Sequence, residues 1–311
     1  MILTTRDGSN KWLTLLLFCV GADCYKILGI FPYTGRSHFQ FFEPLLKELT
    51  ARGHELTVIS QFPQKTTLPG YKDVVLHADD NTGTDTFDMT ELPPKRIRRF
   101  TTMFILKKFA EFTCSRLSQK PILDLLHSNS TFDLILVELF NTDCFLGFVH
   151  KFKAPHVALS SCMVMPWHHD RFGNPSNPSY IPIHFGYYQH PMTFFDRLEN
   201  TVHLLASNFF YWYIMDASAN ALARKYFGDD MPPLHKIAEN TSLFIVNVHH
   251  VLNYPEPKVP SMIEVGGMFL GKVKKLPQVN KLLYICVNCD TSFTSMVYCV
   301  IRKSSRKNIR Y

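Results

Sequence analysis

His38 is the residue in this 311-residue chain best placed for acid–base chemistry. It follows a short apolar run, KILGIF at 26–31, and a Pro/Gly loop, PYTGRS at 32–37. It opens a segment with apolar residues at 41, 42, 45, 46 and 49, the spacing of a helix over His38 to Arg52. An imidazole in a first helical turn feels the positive end of the dipole, which favours the neutral ring. A neutral ring is what a general base needs near pH 7. The competing role for such a histidine is local packing or capping. A base histidine usually has a carboxylate that orients it and stabilises its charged form. Two candidates follow the strand-like run 132–137: Glu138 at its end, and Asp143 where a helix is expected to begin. Asp143 would also serve there as an N-cap.

Other clusters carry less. Gly266, Gly271 and Lys272 outline a phosphate loop, but Val273 stands where a magnesium-binding Ser/Thr belongs, and Pro277 spoils the helix that should follow. His168, His169 and Asp170, like His249 and His250, read as solvated loop residues. Cys286 and Cys289 form a lone C-x-x-C without the second pair that zinc requires. Phe209, Phe210, Tyr211, Trp212 and Tyr213 read as a buried helix face, with a pocket lining as the alternative.

The elements that must hold His38 follow a simple alternation. Strand 26–31, loop, helix, Gly53 as a helix stop and strand 55–60 make a β-α-β unit, hence a parallel sheet. The theme repeats with strand-like runs at 132–137, 155–160 and 242–248. One or two helices fit 95–127, and a long helical region fits 192–227. The stretch 166–191, rich in Pro, His and Tyr, reads as a loop of functional length. Residues 25–270 are therefore expected to form a doubly wound, Rossmann-like α/β domain, with ligands at the carboxyl ends of its strands.

Composition bounds the rest. Hydrophobic residues make up 46% and charged residues 19%, which is globular rather than disordered. The net charge of +7 resides in a tail: nine basic residues and one acidic residue lie from Gly271 onward. A nucleic-acid-binding body is unsupported, because its basic surface should lie on the folded domain. Arg6 and Lys11, the apolar run Trp12 to Val20 and the small residues Gly21 and Ala22 have the order of a signal peptide over 1–24. Asn129 and Asn240 open Asn-x-Ser/Thr glycosylation sequons, which suits the same secretory route. Residues 271–311 read as a basic, poorly ordered tail. Its apolar part, 282–301, is interrupted by Asn288 and Asp290 and makes no clear membrane anchor.

FPYTGRSHF (31–39), RGHELTVIS (52–60), FDLILVELFNTDCFLGFVHKFKAP (132–155), NPSYIP (177–182) and IEVGGM (263–268) resemble, in order, blocks of the animal UDP-glycosyltransferases, with an arthropod flavour. The resemblance implies the N-terminal, acceptor-binding half of a GT-B fold. Inverting transfer of glucose or glucuronic acid from a UDP-sugar to a hydroxyl of a small lipophilic acceptor would follow, with no metal or other cofactor. His38 would take the acceptor proton. Sequences of arthropod type favour Asp143 as its support, whereas the vertebrate register favours Glu138. Ser37, Phe39 and Tyr180 would contact the acceptor. The donor half and its UDP-binding signature are not visible, and the residues after Gln278 look unrelated to the family. A truncated form with little turnover of its own is expected. The alternative is a non-catalytic, lipophilic-ligand-binding or regulatory partner of full-length relatives. The expected location is the lumen or membrane of the endoplasmic reticulum, or outside the cell.

Overall fold

The computed structural model describes residues 2–6, 12–16, 24–77 and 95–271, apart from 187, 189, 190 and 254. The chain divides into a unit Met1–Phe269 and a unit Leu270–Tyr311. Most of the expected leader lies outside the described residues, as does everything from 272 on, including the C-x-x-C pair and the apolar run of the tail. Within residues 1–24, β1 (Ile2–Arg6) and β2 (Trp12–Leu16) pair antiparallel, Ile2 opposite Leu16. Among the described residues no helix is long and apolar enough to cross a membrane.

Seven strands form one sheet: β3 (Lys26–Phe31), β4 (Glu55–Ser60), β5 (Tyr71–Val75), β6 (Leu134–Glu138), β7 (His156–Ser160), β8 (Leu243–Val246) and β9 (Met262–Glu264). Their order is β5-β4-β3-β6-β7-β8-β9, and every neighbouring pair is parallel. The helices are α1 (Arg36–Ala51), α2 (Lys95–Ser115), α3 (Lys120–Leu126), α4 (Gly147–Phe152), α5 (His168–Arg171), α6 (Phe194–Phe210), α7 (Asp216–Phe227), α8 (Leu234–Glu239) and α9 (His250–Asn253).

The sheet is covered on both faces, which explains why its central strands read as near-continuous apolar runs. On one face α1 contributes Phe39, Phe41, Phe42 and Leu46, packed on Ile27, Phe31, Val58 and Leu136. On the other, α3, α4, α7 and α8 contribute Ile122, Phe148, Ala223 and Leu234, packed on Leu28, Ile30, Ile135 and Val137. Burying each Leu, Ile, Val or Phe among them contributes about 1.5–3 kcal/mol. The alternation along β6 is strict: Leu134 and Leu136 face α1, whereas Ile135 and Val137 face the opposite layer.

α1 begins two residues before the expected start, at Arg36, so His38 is its third residue. Its end matches expectation. Gly53 has φ of +92°, its N–H reaches Thr50 O at 3.0 Å, and His54 N–H reaches Leu49 O at 3.2 Å. This is the Schellman arrangement, which only glycine adopts without strain. Two edge strands escape the sequence reading. β5 has one buried residue, Val74, and β9 is three residues long. The stretch 166–191 is not all loop: α5 sits within it, and His168 and His169 are buried rather than solvated.

Candidate active site

The sheet order reverses between β3 and β6. The first two crossovers run outward from β3 to β4 and β5, and the next returns to β6 on the other side. Such a switch point leaves a crevice at the carboxyl ends of the two strands, where open α/β sheets hold ligands. β3 ends at Phe31, and β6 ends at Glu138. Glu138 continues the parity of Leu134 and Leu136, so its side chain leaves the strand tip on the face that carries α1. The first turn of α1 brings His38 to meet it.

His38 Nδ1 lies 2.6 Å from Glu138 Oε1. Ser161, one residue past β7, places its Oγ 2.8 Å from the same nitrogen and 3.1 Å from the same oxygen. A carboxylate oxygen only accepts. Nδ1–H therefore donates to Glu138, the Ser161 hydroxyl donates to Glu138 as well, and Nε2 keeps its lone pair. Nε2 has no hydrogen-bond partner among the described residues. Phe140 packs edge-on against the ring at 4.8 Å, and Tyr33 lies 5.9 Å away. Gly35 passes close beneath it; a Cβ there would come within 3.1 Å of His38 Cδ2. The Glu138 side chain is 1% exposed and that of His38 19%.

Burial pulls the His38 pKa down, but the charge of Glu138 and then its hydrogen bond push it up, and the net result lies above the ordinary 6.5. The carboxylate outweighs burial, contrary to the expectation of a ring kept neutral in the first turn of its helix. The arrangement is a buried carboxylate, an imidazole and a free nitrogen at a crevice, which can accept a proton and stabilise the resulting imidazolium.

Asp143 is elsewhere. Its Oδ1 accepts from Arg171 at 3.0 Å, and its Oδ2 accepts from Arg171 and, at 2.8 Å, from the Tyr211 hydroxyl. Both side chains of the ion pair are 1% exposed. The carboxylate beside His38 is thus Glu138, not the Asp143 favoured from sequence, because the fork of Arg171 occupies Asp143. Nor does the Asp143 side chain cap the helical turn Cys144–Leu146 that follows it. Asp143 instead anchors the loop after β6. Trp167 stacks on Tyr211 at 4.4 Å and donates to Phe140 O at 3.1 Å, which fixes the residue that packs on His38.

The expected acceptor contacts separate. Ser37 is exposed beside His38. Phe39 is 3% exposed between Phe31 and Phe62, in the core under the sheet, because helix periodicity turns it away from the crevice. Tyr180 is 46% exposed and lines a cavity of about 170 Å³ with Met163, Ile183, His184 and Glu256. The sequon residues Asn129 and Asn240 are both exposed. The aromatic stretch is split rather than buried: Tyr211 is 1% exposed, whereas Phe209 is 61% and Tyr213 70%.

Sequence reasoning missed three participants. Ser161 could have been found by parity, since Val157 and Leu159 of β7 pack toward α1. Arg171 carried no local signal. The disulfide Cys114–Cys144, which ties the end of α2 to the loop after β6, was equally silent among scattered cysteines.

A doubly wound α/β domain with a carboxylate-backed histidine at its switch point is a class with many members. Comparison with known proteins narrows it. The family model "UDP-glucoronosyl and UDP-glucosyl transferase" matches residues 26–287, so the chain belongs to that family. The match runs past Gln278, where the sequence had looked unrelated. A UDP-glycosyltransferase, UGT5, of Dactylopius coccus is 36% identical over 273 residues, covering 86% of this chain and 52% of the relative. UDP-glucosyltransferase 2 of the same organism is 33% identical, again over 86% and 52%. UDP-glucuronosyltransferase 3A1 of Bos taurus is 26% identical over 83% and 50%. The chain spans about half the length of these curated relatives. The crystal structure of the calicheamicin glycosyltransferase CalG4 aligns at 16% identity with a TM-score of 0.39, over 78% of this chain and 53% of that one.

Proposed function

We propose that this chain is the acceptor-binding half of an inverting UDP-glycosyltransferase of GT-B type, with His38 as its general base and Glu138 as the group that orients and charges it. The observation that carries the reading is the 2.6 Å His38–Glu138 contact at the switch point of the sheet. The acceptor is a small lipophilic molecule with a hydroxyl. His38 Nε2 takes the hydroxyl proton as the oxygen bonds to the anomeric carbon of the sugar. The bond from that carbon to UDP breaks, UDP departs with the electron pair, and the anomeric centre inverts. The imidazolium, held by Glu138, then returns its proton to solvent. The donor sugar, glucose or glucuronic acid, and the departing charge of UDP fall to a second half. The proton needs no metal, and turnover is expected to persist in EDTA.

The secretory route is part of the same proposal. A buried disulfide suits an oxidising compartment. The exposed Asn129 and Asn240 would carry glycans in the lumen of the endoplasmic reticulum, removable by a glycosidase with a shift in mobility.

The test is UDP release from UDP-glucose with a phenolic acceptor. The chain alone is expected to give little, since half a cleft cannot stabilise the departing group. Fused to the remaining half of a Dactylopius relative, it is expected to turn over, and His38→Ala should lower the rate about 10²–10⁴-fold. Full turnover in the His38→Ala fusion would overturn the assignment.

A further inference from the structure

Three neighbouring strands end in a polar residue on the same face. Leu136 of β6, Leu159 of β7 and Ile245 of β8 all pack toward α1. Two residues further on, the same alternation delivers Glu138, Ser161 and Asn247. Ser160 pairs with Val246, and Asn247 N–H donates to Ser160 O at 3.1 Å. The Asn247 side chain then reaches across to the end of β7. Its Nδ2 donates to Ser161 O at 2.8 Å, and its Oδ1 faces the Gly267 N–H at 3.4 Å. Together these partners decide which way the amide points, because only the nitrogen donates and only the oxygen accepts. Gly267, with φ of +84°, sits in a turn that is itself held. Met268 N–H reaches Val265 O at 3.2 Å, and Gly266 N–H reaches Val248 O at 3.0 Å. Val265 and Met268 pack on the same core as Phe41 and Phe42 of α1.

We propose that Asn247 is a positioning residue for proton transfer at His38: it holds the Ser161 peptide, and through it the hydroxyl that shares the Glu138 carboxylate with the imidazole. It does so from β8, which pairs with neither strand of the switch point. The β7–β8 pairing ends at Ser160 and Val246, so Ser161 lies beyond the last ladder residue. Its carbonyl receives the Asn247 amide there. The hydroxyl of the same residue must stay 3.1 Å from Glu138 Oε1 and 2.8 Å from His38 Nδ1. Hydrogen bonds weaken steeply when distance or angle drifts, so a peptide free to turn would lose that placement. While in place, the hydroxyl proton takes part of the carboxylate's charge. Without it, that charge acts on the imidazolium alone and holds the proton there more firmly. The role rests on the reading of His38 as the base; the chain of contacts does not.

The test is titration of the His38 ring by heteronuclear NMR in the full chain with isotope-labelled histidine, the signal assigned by its loss in His38→Gln. Ser161→Ala is expected to raise the His38 midpoint by about half a pH unit. Asn247→Ala is expected to raise it by a similar amount, and the double variant by no more than Ser161→Ala alone, because residues that act through one another are not additive. Asn247→Leu, close to the native side chain in shape, gives the same reading where the alanine variant fails to fold. A native midpoint in either folded Asn247 variant would overturn the proposal, as would an unmoved midpoint in Ser161→Ala. A second, additive shift in the double variant would overturn it too, since Asn247 would then act by another route. In a two-half fusion the acid limb of kcat/KM is expected to follow the NMR midpoint. The expected shifts together with full turnover of the His38→Ala fusion would uphold the link from Asn247 to the ring and remove only the ring's use as a base.

Discussion

Glu138 meets His38 through one oxygen, while its Oε2 is buried with no hydrogen-bond partner among the described residues. The carboxylate is therefore committed to the imidazole. Glu138→Gln should retain the fold but remove the charge that raises the His38 pKa. In a competent two-half enzyme, kcat/KM rises as pH passes up through the His38 pKa, because only the neutral ring is a base. The substitution should move that limb to lower pH while lowering the plateau about 10²–10⁴-fold. A pH–rate profile of the pair checks both. Ser161→Ala removes one hydroxyl donor from Glu138 and should cost about 1 kcal/mol, near a fivefold fall in kcat. His38 itself was legible from its place after an apolar strand. The choice between Glu138 and Asp143 was legible too, had the alternation of Leu134, Ile135, Leu136 and Val137 been carried one residue further. The resemblance pulled toward Asp143, which the fold uses to bind Arg171.

The elements around the site are joined by that ion pair. Asp143 after β6, Arg171 at the end of α5 and Tyr211 in the π-helical turn Tyr211–Met215 form a buried triangle. Asp143→Ala should destabilise by about 3–5 kcal/mol, because it strands a buried guanidinium. Asp143→Leu combined with Arg171→Met should recover most of that loss, as urea midpoints would show. The triangle was not legible in the sequence, since its members lie 28 and 68 residues apart and no periodicity links them. The elements themselves were largely legible: the runs over β3, β4, β6, β7 and β8 are apolar enough to read directly. β5 and β9 were not, because an edge strand with little burial leaves little apolar pattern. The helical region after residue 192 was legible as helix, but not as one that presents its apolar face outward.

At the scale of the whole molecule, acid is the weak direction. Burial holds His156, His169 and His184 neutral, each with a pKa of about 4 against an unfolded value near 6.5. Between those values the unfolded chain binds more protons, so stability present above about pH 6.5 is lost as pH falls toward 4. His38 runs the other way: its contribution is present below its unfolded value and is lost as pH rises through its raised folded value. His168, also buried and lowered, makes four histidines that lose stability in acid, against the raised His38, Asp216 and Asp73 that gain it, and the urea midpoint should fall between about pH 7.5 and pH 5. Cys114 and Cys144 close a loop of 30 residues, and Cys144→Ser should cost about 3–4 kcal/mol in thermal unfolding. Cys144 is the neighbour of Asp143, so that cross-link sits directly under the loop that steadies the Phe140 ring. Protein expressed in a reducing bacterial cytoplasm would carry free thiols there and a slack loop beneath its histidine. An activity survey run on such material would be sampling a different molecule, and its silence would say nothing about His38.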